Sequence, residues 1–303
     1  MDAQRTLRRS ISCAGIGLHS GRKVTLSLKP APADFGIRFR RTDLGGLEIP
    51  ANVANLGGIQ YATGLTRDQS TVDTIEHLLA ALVSRGVDNV IIELNTPEVP
   101  IMDGSAAPFI YLLQEAGIKR QSAGRRFLKV VRPIALSQGD KRIAIYPSDH
   151  FKVTYSISFD HPLLRHQART HRVTEESFAE EIAPARTFCF LKEVEMLRQN
   201  GLALGGSLDN AIVIGETGVL NALRFDDEFV RHKILDVIGD LALVGHPIIG
   251  HVVAHRGGHA LHTAFASRIV EESDAWRLVE SAGEMAEGGR MPVPVGRAAS
   301  LAN

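Results

Sequence analysis

The chain runs twice through one order of elements: alternating strands, a helix, an apolar strand and a second helix. In the first run, residues 23–28 and 36–39 alternate apolar and polar side chains between Pro and Gly clusters, as half-buried strands do. Residues 73–83 switch to the helical period, with Ile75, Leu78, Leu79 and Leu82 on one face, Asp73 or Thr74 as N-cap and Gly86 as stop. Residues 89–94 read as an apolar strand, 102–105 as a turn, and 106–116 as a second helix ended by Gly117. In the second run, strands at 127–131, 142–146 and 153–159 precede short helices at 174–182 and 192–199 and a strand at 211–214. The longest amphipathic helix, 228–244, carries Ile234, Leu235, Ile238, Leu241 and Ala242 on its apolar stripe; a strand at 248–254 and a helix at 259–272 follow. This doubling predicts an α+β fold of two similarly built domains, each a β-sheet layered with helices. The polar, basic segment 119–126 is the expected linker. It gives domains at 1–122 and 127–286, with the Gly- and Pro-rich residues 287–303 as a flexible tail.

Composition narrows the function. Hydrophobic residues at 44% and charged residues at 22% of 303 exclude a wholly disordered chain. Lys plus Arg and Asp plus Glu both number 34, and the sequence has no basic stripe, so nucleic acid is not an expected partner. The apolar stretch 241–255 is short and carries three histidines, which excludes it as a transmembrane segment. Residues 1–23 lack the apolar core of a secretory signal. Cys13 and Cys189 are no disulfide framework, in keeping with a cytoplasmic location. Twelve histidines against one Trp direct attention to metal ligands.

Three local patterns can carry chemistry. His232 and Asp236 stand four apart on the long helix, so their side chains rise from one face and can reach one ion. An imidazole and a carboxylate suit a borderline cation such as zinc. The same spacing also makes an ordinary ion pair on a wet helix face. Thr74-Ile-Glu76-His77 offers a third ligand in His77, with Glu76 beside it as a general base toward water. Arg256-Gly-Gly-His259 is a glycine turn into a helix, where a histidine can serve as an acid; Asp240, one turn past Asp236, can hold it protonated. Read singly, His77 and His259 are ordinary helix histidines and Asp240 a surface carboxylate. Leu204-Gly-Gly-Ser207 can bring backbone close to a ligand or simply turn the chain. Arg186-Thr187-Phe188-Cys189-Phe190 offers a hydroxyl and aromatics, with Cys189 a small buried hydrophobe. No phosphate loop, strand-linked GxGxxG or GxSxG elbow is present, which argues against nucleotide hydrolase, nicotinamide and serine-hydrolase chemistry.

Taken in order, the motifs resemble one family. They are Gly15-Ile-Gly-Leu-His19-Ser-Gly, Thr74-Ile-Glu-His77, Ile101-Met-Asp-Gly-Ser105, Arg186-Thr-Phe188, Leu204-Gly-Gly-Ser207-Leu-Asp-Asn210, His232-Lys-Ile-Leu-Asp236-Val-Ile-Gly-Asp240 and Gly258-His259. From Arg5 to Trp276 the chain is similar to the UDP-3-O-acyl-N-acetylglucosamine deacetylases, zinc-dependent hydrolases of lipid A and lipopolysaccharide biosynthesis in Gram-negative bacteria. The resemblance implies one catalytic Zn2+ per chain on His77, His232 and Asp236, in a site between the two domains. It implies Glu76 as general base, His259 with Asp240 as general acid or cationic stabiliser, Thr187 at the oxyanion and Lys233 on substrate. Leu18, His19 and Phe188 would border the sugar nucleotide, Lys141 would reach its diphosphate, and Gly205 and Ser207 would line the same site. The insert at 191–204, with Leu191 and Leu202, would wall a passage for the 3-O-acyl chain. Departures from the family pattern are Cys189 where glycine is expected, His262 where Asn is commoner, and a long C-terminal extension. The partner implied is a small acylated sugar nucleotide, and a monomer is expected. Two rivals stay open: a zinc amidase acting on another acylated sugar, and a non-catalytic binding protein of the same fold.

Overall fold

Two five-stranded sheets carry the fold, and they share one strand order. The computed structural model, which describes residues 2–58 and 61–280, builds the first from Ile11–Ile16, Lys23–Pro30, Val90–Leu94, Ile37–Arg41 and Leu47–Pro50, side by side in that order. The second runs Ile134–Gln138, Lys141–Tyr146, His251–His255, Lys152–Ile157 and Gln167–Arg172. In each sheet the last strand of the chain inserts between the second and third, antiparallel to one and parallel to the other. A parallel neighbour cannot be reached by a tight turn, so each insertion requires a long crossover. The expected tail at 287–303 lies outside the described residues.

The helices fill those crossovers and follow them. They are α1 (Glu76–Ser84), α2 (Ala107–Ala116), α3 (Glu175–Ser177), α4 (Leu191–Gln199), α5 (Glu228–Leu241) and α6 (His259–Glu271). The crossover helix α1 precedes Val90–Leu94, and its counterpart α5 precedes the His251–His255 strand. Both sheets turn one face inward: Val24, Leu26 and Leu28 alternate with exposed or half-buried neighbours, as do Val153, Tyr155 and Ile157. Of the nine residues of α1 only Val83 is not fully buried, so the helix lies within the core rather than on a surface. The core runs continuously from Leu7 to Ala275 through α1 and α5. Among the described residues no helix is long and apolar enough to cross a membrane.

Three expectations need correction. The segment expected to be a linker contains the strand Ile118–Gly124, paired antiparallel with Ala3–Leu7. Its basic residues Lys119 and Arg120 are exposed and no residue of the strand is fully buried, so its pairing rests on the backbone. The start of α1 has no side-chain cap: Asp73 ends the strand Ser70–Asp73, and Thr74 adopts φ 60°. The strand expected at 248–254 splits at Gly250. Ile248–Ile249 joins Phe127–Val130 in a separate sheet, and Gly250 at the break packs so closely on Val130 and Ile145 that a Cβ there would press on both.

Candidate metal centre

Helix α5 presents His232, Asp236 and Asp240 from one face, one turn apart, each 2% exposed or less. Helix α1 opens with Glu76 and His77. The two helices meet where α5 carries Gly239: a Cβ there would collide with the Glu76 carbonyl, so the close approach needs glycine. That approach sets Asp236 Oδ1 at 3.2 Å from His232 Nε2 and 3.7 Å from His77 Nε2. The two imidazole rings stand 5.0 Å apart and nearly perpendicular, at 83°.

The protonation pattern of this trio suits a cation. His232 Nδ1 lies 3.1 Å from the Ala185 carbonyl. A carbonyl only accepts, so Nδ1 carries the hydrogen and Nε2 keeps its lone pair. Burial first, with His77 and Lys233 adding, pushes the His232 pKa down to about 3 against the pull of Asp236, so the ring is neutral. Burial raises the Asp236 carboxyl, but His232, Lys233 and His259 outweigh it and hold the group well below its ordinary value. Lys233 Nζ takes Asp236 Oδ2 at 2.6 Å. The other oxygen, Oδ1, is buried without a hydrogen-bond donor among the described residues. A buried carboxylate oxygen left without a donor is costly unless something else satisfies it. With two imidazole nitrogens facing it, the donor set fits a metal that takes nitrogen and oxygen, as zinc does.

Beside this trio lie Glu76, His259 and Asp240. Glu76 is 3% exposed, and its Oε2 accepts from the Thr63 backbone N–H at 3.1 Å. Burial raises its carboxyl above the ordinary value, with Asp240 and Asp236 adding and His259 and His77 opposing. His259, the first residue of α6, sets Nε2 3.8 Å from Glu76 Oε1 and 3.8 Å from Asp236 Oδ2. Its Nδ1 donates to Asp240 Oδ2 at 3.0 Å. Burial lowers the His259 pKa, but Asp240, Asp236 and Glu76 carry it up to about 10. Asp240 itself is depressed to about 2, since His259 and His262 outweigh its burial.

Other sequence-predicted residues fall around this centre in different ways. The Phe188 ring stands 6.2 Å from that of His232, with Lys233 Nζ 5.5 Å above it. Thr187 is fixed by its backbone, donating to Gly104 and accepting from Ile212, while its hydroxyl makes no protein hydrogen bond among the described residues. His19 is 7% exposed with both ring nitrogens unpartnered, and burial lowers its pKa ahead of the opposing pull of Glu98. Leu18 accepts from Gly205 N, and a Cβ at Gly205 would collide with the Gly17 carbonyl, so this contact ties the two halves. Ser207 accepts from Asp209 N within its own turn. Lys141 is exposed and makes no hydrogen bond or ion pair with the cluster among the described residues. On α4 only Leu197 is buried; Leu191 is 49% exposed, and Leu202 is half-buried just beyond the helix.

Sequence reasoning missed the supports. Glu98, 2% exposed, accepts from His19 N at 2.7 Å, Ser20 N at 2.9 Å and Thr74 Oγ1 at 3.2 Å. It holds the β-branched Thr74 in the left-handed region two residues before Glu76, at the entry to α1. The signal for it was a lone carboxylate between Pro97 and Pro100. Arg186 and fully buried Glu228 form a two-pronged pair at 2.9 and 3.2 Å that fixes the chain before Thr187. Thr63 donates its hydroxyl to Asp240 Oδ1 at 2.5 Å.

Fold and site together define an α+β protein with two sheets of like strand order and a buried His–Asp cluster that could hold a metal ion. The family model described as UDP-3-O-acyl N-acetylglycosamine deacetylase matches residues 4–271. The UDP-3-O-acyl-N-acetylglucosamine deacetylase of Syntrophotalea carbinolica is 51% identical over 291 residues, 95% of this chain and 94% of its own. That of Pseudomonas entomophila is 49% identical over 284 residues, 92% and 94% of the two chains. The chain belongs to the UDP-3-O-acyl N-acetylglycosamine deacetylase family.

Proposed function

We propose that this protein removes the N-acetyl group of UDP-3-O-acyl-N-acetylglucosamine, giving UDP-3-O-acyl-glucosamine and acetate, the committed step toward lipid A. The observation that carries the reading is the unpartnered Asp236 Oδ1 facing His77 and His232, next to a raised Glu76 carboxyl and a cationic His259. A zinc ion held by His77, His232 and Asp236 supplies Lewis acidity and counter-charge for negative charge growing on the amide oxygen. Glu76 takes a proton from water as the water oxygen bonds to the acetamide carbon; its raised pKa suits it to hold that proton and release it again. The Thr187 hydroxyl, without a protein partner among the described residues, donates to the developing oxyanion. His259 is held as a cation by Asp240, and its Nε2 gives a proton to the amine nitrogen as the C–N bond breaks. Lys233, ion-paired with Asp236 and lying over the Phe188 ring, meets the substrate at the edge of the same site.

The acyl chain finds apolar surface on the insert. Leu191, Met196 and Leu204 are 49%, 44% and 53% exposed, so the stripe is not spent on the protein's own core. In this reading the enzyme acts in the cytoplasm on a small-molecule substrate and needs no partner chain. The test is acetate release by zinc-loaded protein from the acylated sugar nucleotide, beside the same nucleotide lacking the 3-O-acyl chain. Rapid release from the first alone is expected; release from neither, at full zinc occupancy, overturns the reading.

A further inference from the structure

Asp240 is held by more than His259. Its Oδ2 also receives His262 Nδ1 at 2.8 Å, and His262 Nε2 lies 2.8 Å from the Tyr155 hydroxyl. A carboxylate only accepts, so His262 Nδ1 carries hydrogen. Burial lowers the His262 pKa ahead of the pull of Asp240, which leaves the ring neutral and Nε2 free to accept the Tyr155 hydroxyl proton. The hydrogen bonds therefore run one way: Tyr155 to His262, and His262, His259 and Thr63 all to Asp240.

Tyr155 and His262 are 0% exposed, and their rings meet edge-on at 88°. Gly257 closes over them: a Cβ there would stand 2.8 Å from both His262 Nε2 and the Tyr155 hydroxyl oxygen. A pair of apolar side chains would fill this space without two polar groups to satisfy, and such a replacement is often neutral for stability. Packing alone does not account for the pair. Its one polar outlet is Asp240, and through it His259, which stands three residues before His262 on the same face of α6.

We infer that Tyr155 and His262 are positioning residues for His259: the tyrosine hydroxyl fixes the His262 tautomer, His262 pins Asp240 Oδ2, and the pinned carboxylate sets the orientation of the His259 ring. The inference rests on the deacetylase reading above, in which His259 must meet the departing nitrogen. A carboxylate anchored on Oδ1 by Thr63 but no longer pinned on Oδ2 by His262 would leave His259 Nε2 misaimed in the step where it gives its proton, while the ground-state complex would form as before. The effect therefore falls on kcat and not on KM.

The test uses zinc-loaded protein and two readouts: steady-state kinetics on the acylated sugar nucleotide, and the downfield proton resonances of the histidine Nδ1–H groups, which need no turnover. His262→Leu cuts both hydrogen bonds and should lower kcat about tenfold with KM within about twofold. In His262→Asn an amide N–H stands near the Nδ1 position and should restore most of that loss. Tyr155→Phe, which removes one oxygen, should lower kcat a few-fold and move the His262 resonance but not abolish the His259 resonance. Unchanged kcat and unchanged resonances in Tyr155→Phe overturn the inference. So does a loss in His262→Leu that His262→Asn does not repair, or that appears in KM and melting temperature alone. An inactive wild type would instead count against the deacetylase reading, and the resonances would still decide whether Tyr155 and His262 hold Asp240.

Discussion

Two clusters of identical composition, two histidines and one aspartate each, sit one turn apart along α5, and they behave as opposites. In the first, His232 turns a lone pair fixed by Ala185 toward Asp236, whose Oδ1 has no hydrogen-bond donor among the described residues and lies 3.7 Å from His77 Nε2. In the second, Asp240 accepts from His259, His262 and Thr63, so every buried charge has its hydrogen. The first offers lone pairs that a cation could take; the second is already its own ion pair. Ligand count and spacing do not distinguish them. What does is the ring nitrogen turned to the carboxylate: the lone-pair Nε2 of His232 faces Asp236, whereas the hydrogen-bearing Nδ1 of His259 and of His262 faces Asp240.

The largest effect should come from treating the clusters alike. Asp236→Ala removes the central oxygen of the first cluster and should bring both zinc content and activity to background. Asp240→Ala should keep one zinc per chain, measured by elemental analysis, and lose activity by a different route. Chelation should abolish wild-type turnover, and stoichiometric zinc should restore it. If Asp240→Ala also emptied the protein of metal, the division between the clusters would collapse.

The next effect separates proton transfer from metal holding. Glu76→Ala and His259→Ala should each lower kcat by about 10² to 10⁴-fold with KM and zinc content little changed, the usual worth of a positioned acid or base. Wild-type kcat in either variant would remove that residue from the chemistry.

How far these roles could be read without coordinates depended on range. The i,i+4 and i,i+8 spacing of His232, Asp236 and Asp240 is a local property of one helix and was legible, as was the doubled order of strands and helices. The edge strand Gln167–Arg172 was not: all six of its residues are polar except Ala168, and it is held by backbone pairing that leaves no apolar alternation to detect. The trio itself joins α1 to α5 across more than 150 residues, through a glycine whose purpose is visible only from the other helix. The family resemblance supplied that link; spacing could not. His262 was legible only as a departure from the family pattern. Its bonds to Asp240 on α5 and to Tyr155 on the strand Lys152–Ile157 were not.

A third, smaller effect concerns the substrate's far end. Each buried methylene contributes about 0.8 kcal/mol, so removing the 3-O-acyl chain should lower kcat/KM by roughly 10²-fold or more. Leu202→Glu should cost about tenfold on the acylated substrate, with zinc content and melting temperature close to wild type. Unfolding of that variant would place Leu202 in the core. Undiminished preference for the acylated substrate would move the passage elsewhere.

The smallest effect is a pH signature of the second cluster, read in metal-stripped protein by thermal unfolding. The folded protein raises the His259 pKa from 6.5 to about 10, so it binds that proton more tightly than the unfolded chain does. The stability gained is complete below pH 6.5 and is lost as the pH rises through about 10. Asp240 works in the other sense. Its pKa falls from 3.8 to about 2, so its contribution is present above pH 3.8 and is lost as the pH drops toward 2. Between those limits both members of the pair stabilise the fold. The gap in melting temperature between wild type and His259→Gln should therefore be widest near pH 6, on the order of a few degrees for a chain of this size, and should close toward pH 10. Asp240→Asn removes the main partner that raises His259, so in that background the same gap should be smaller at pH 6 and should close at lower pH. A gap independent of pH in both backgrounds would mean that His259 is not held as a cation, and the contrast between a cluster awaiting charge and one already balanced would have to be redrawn.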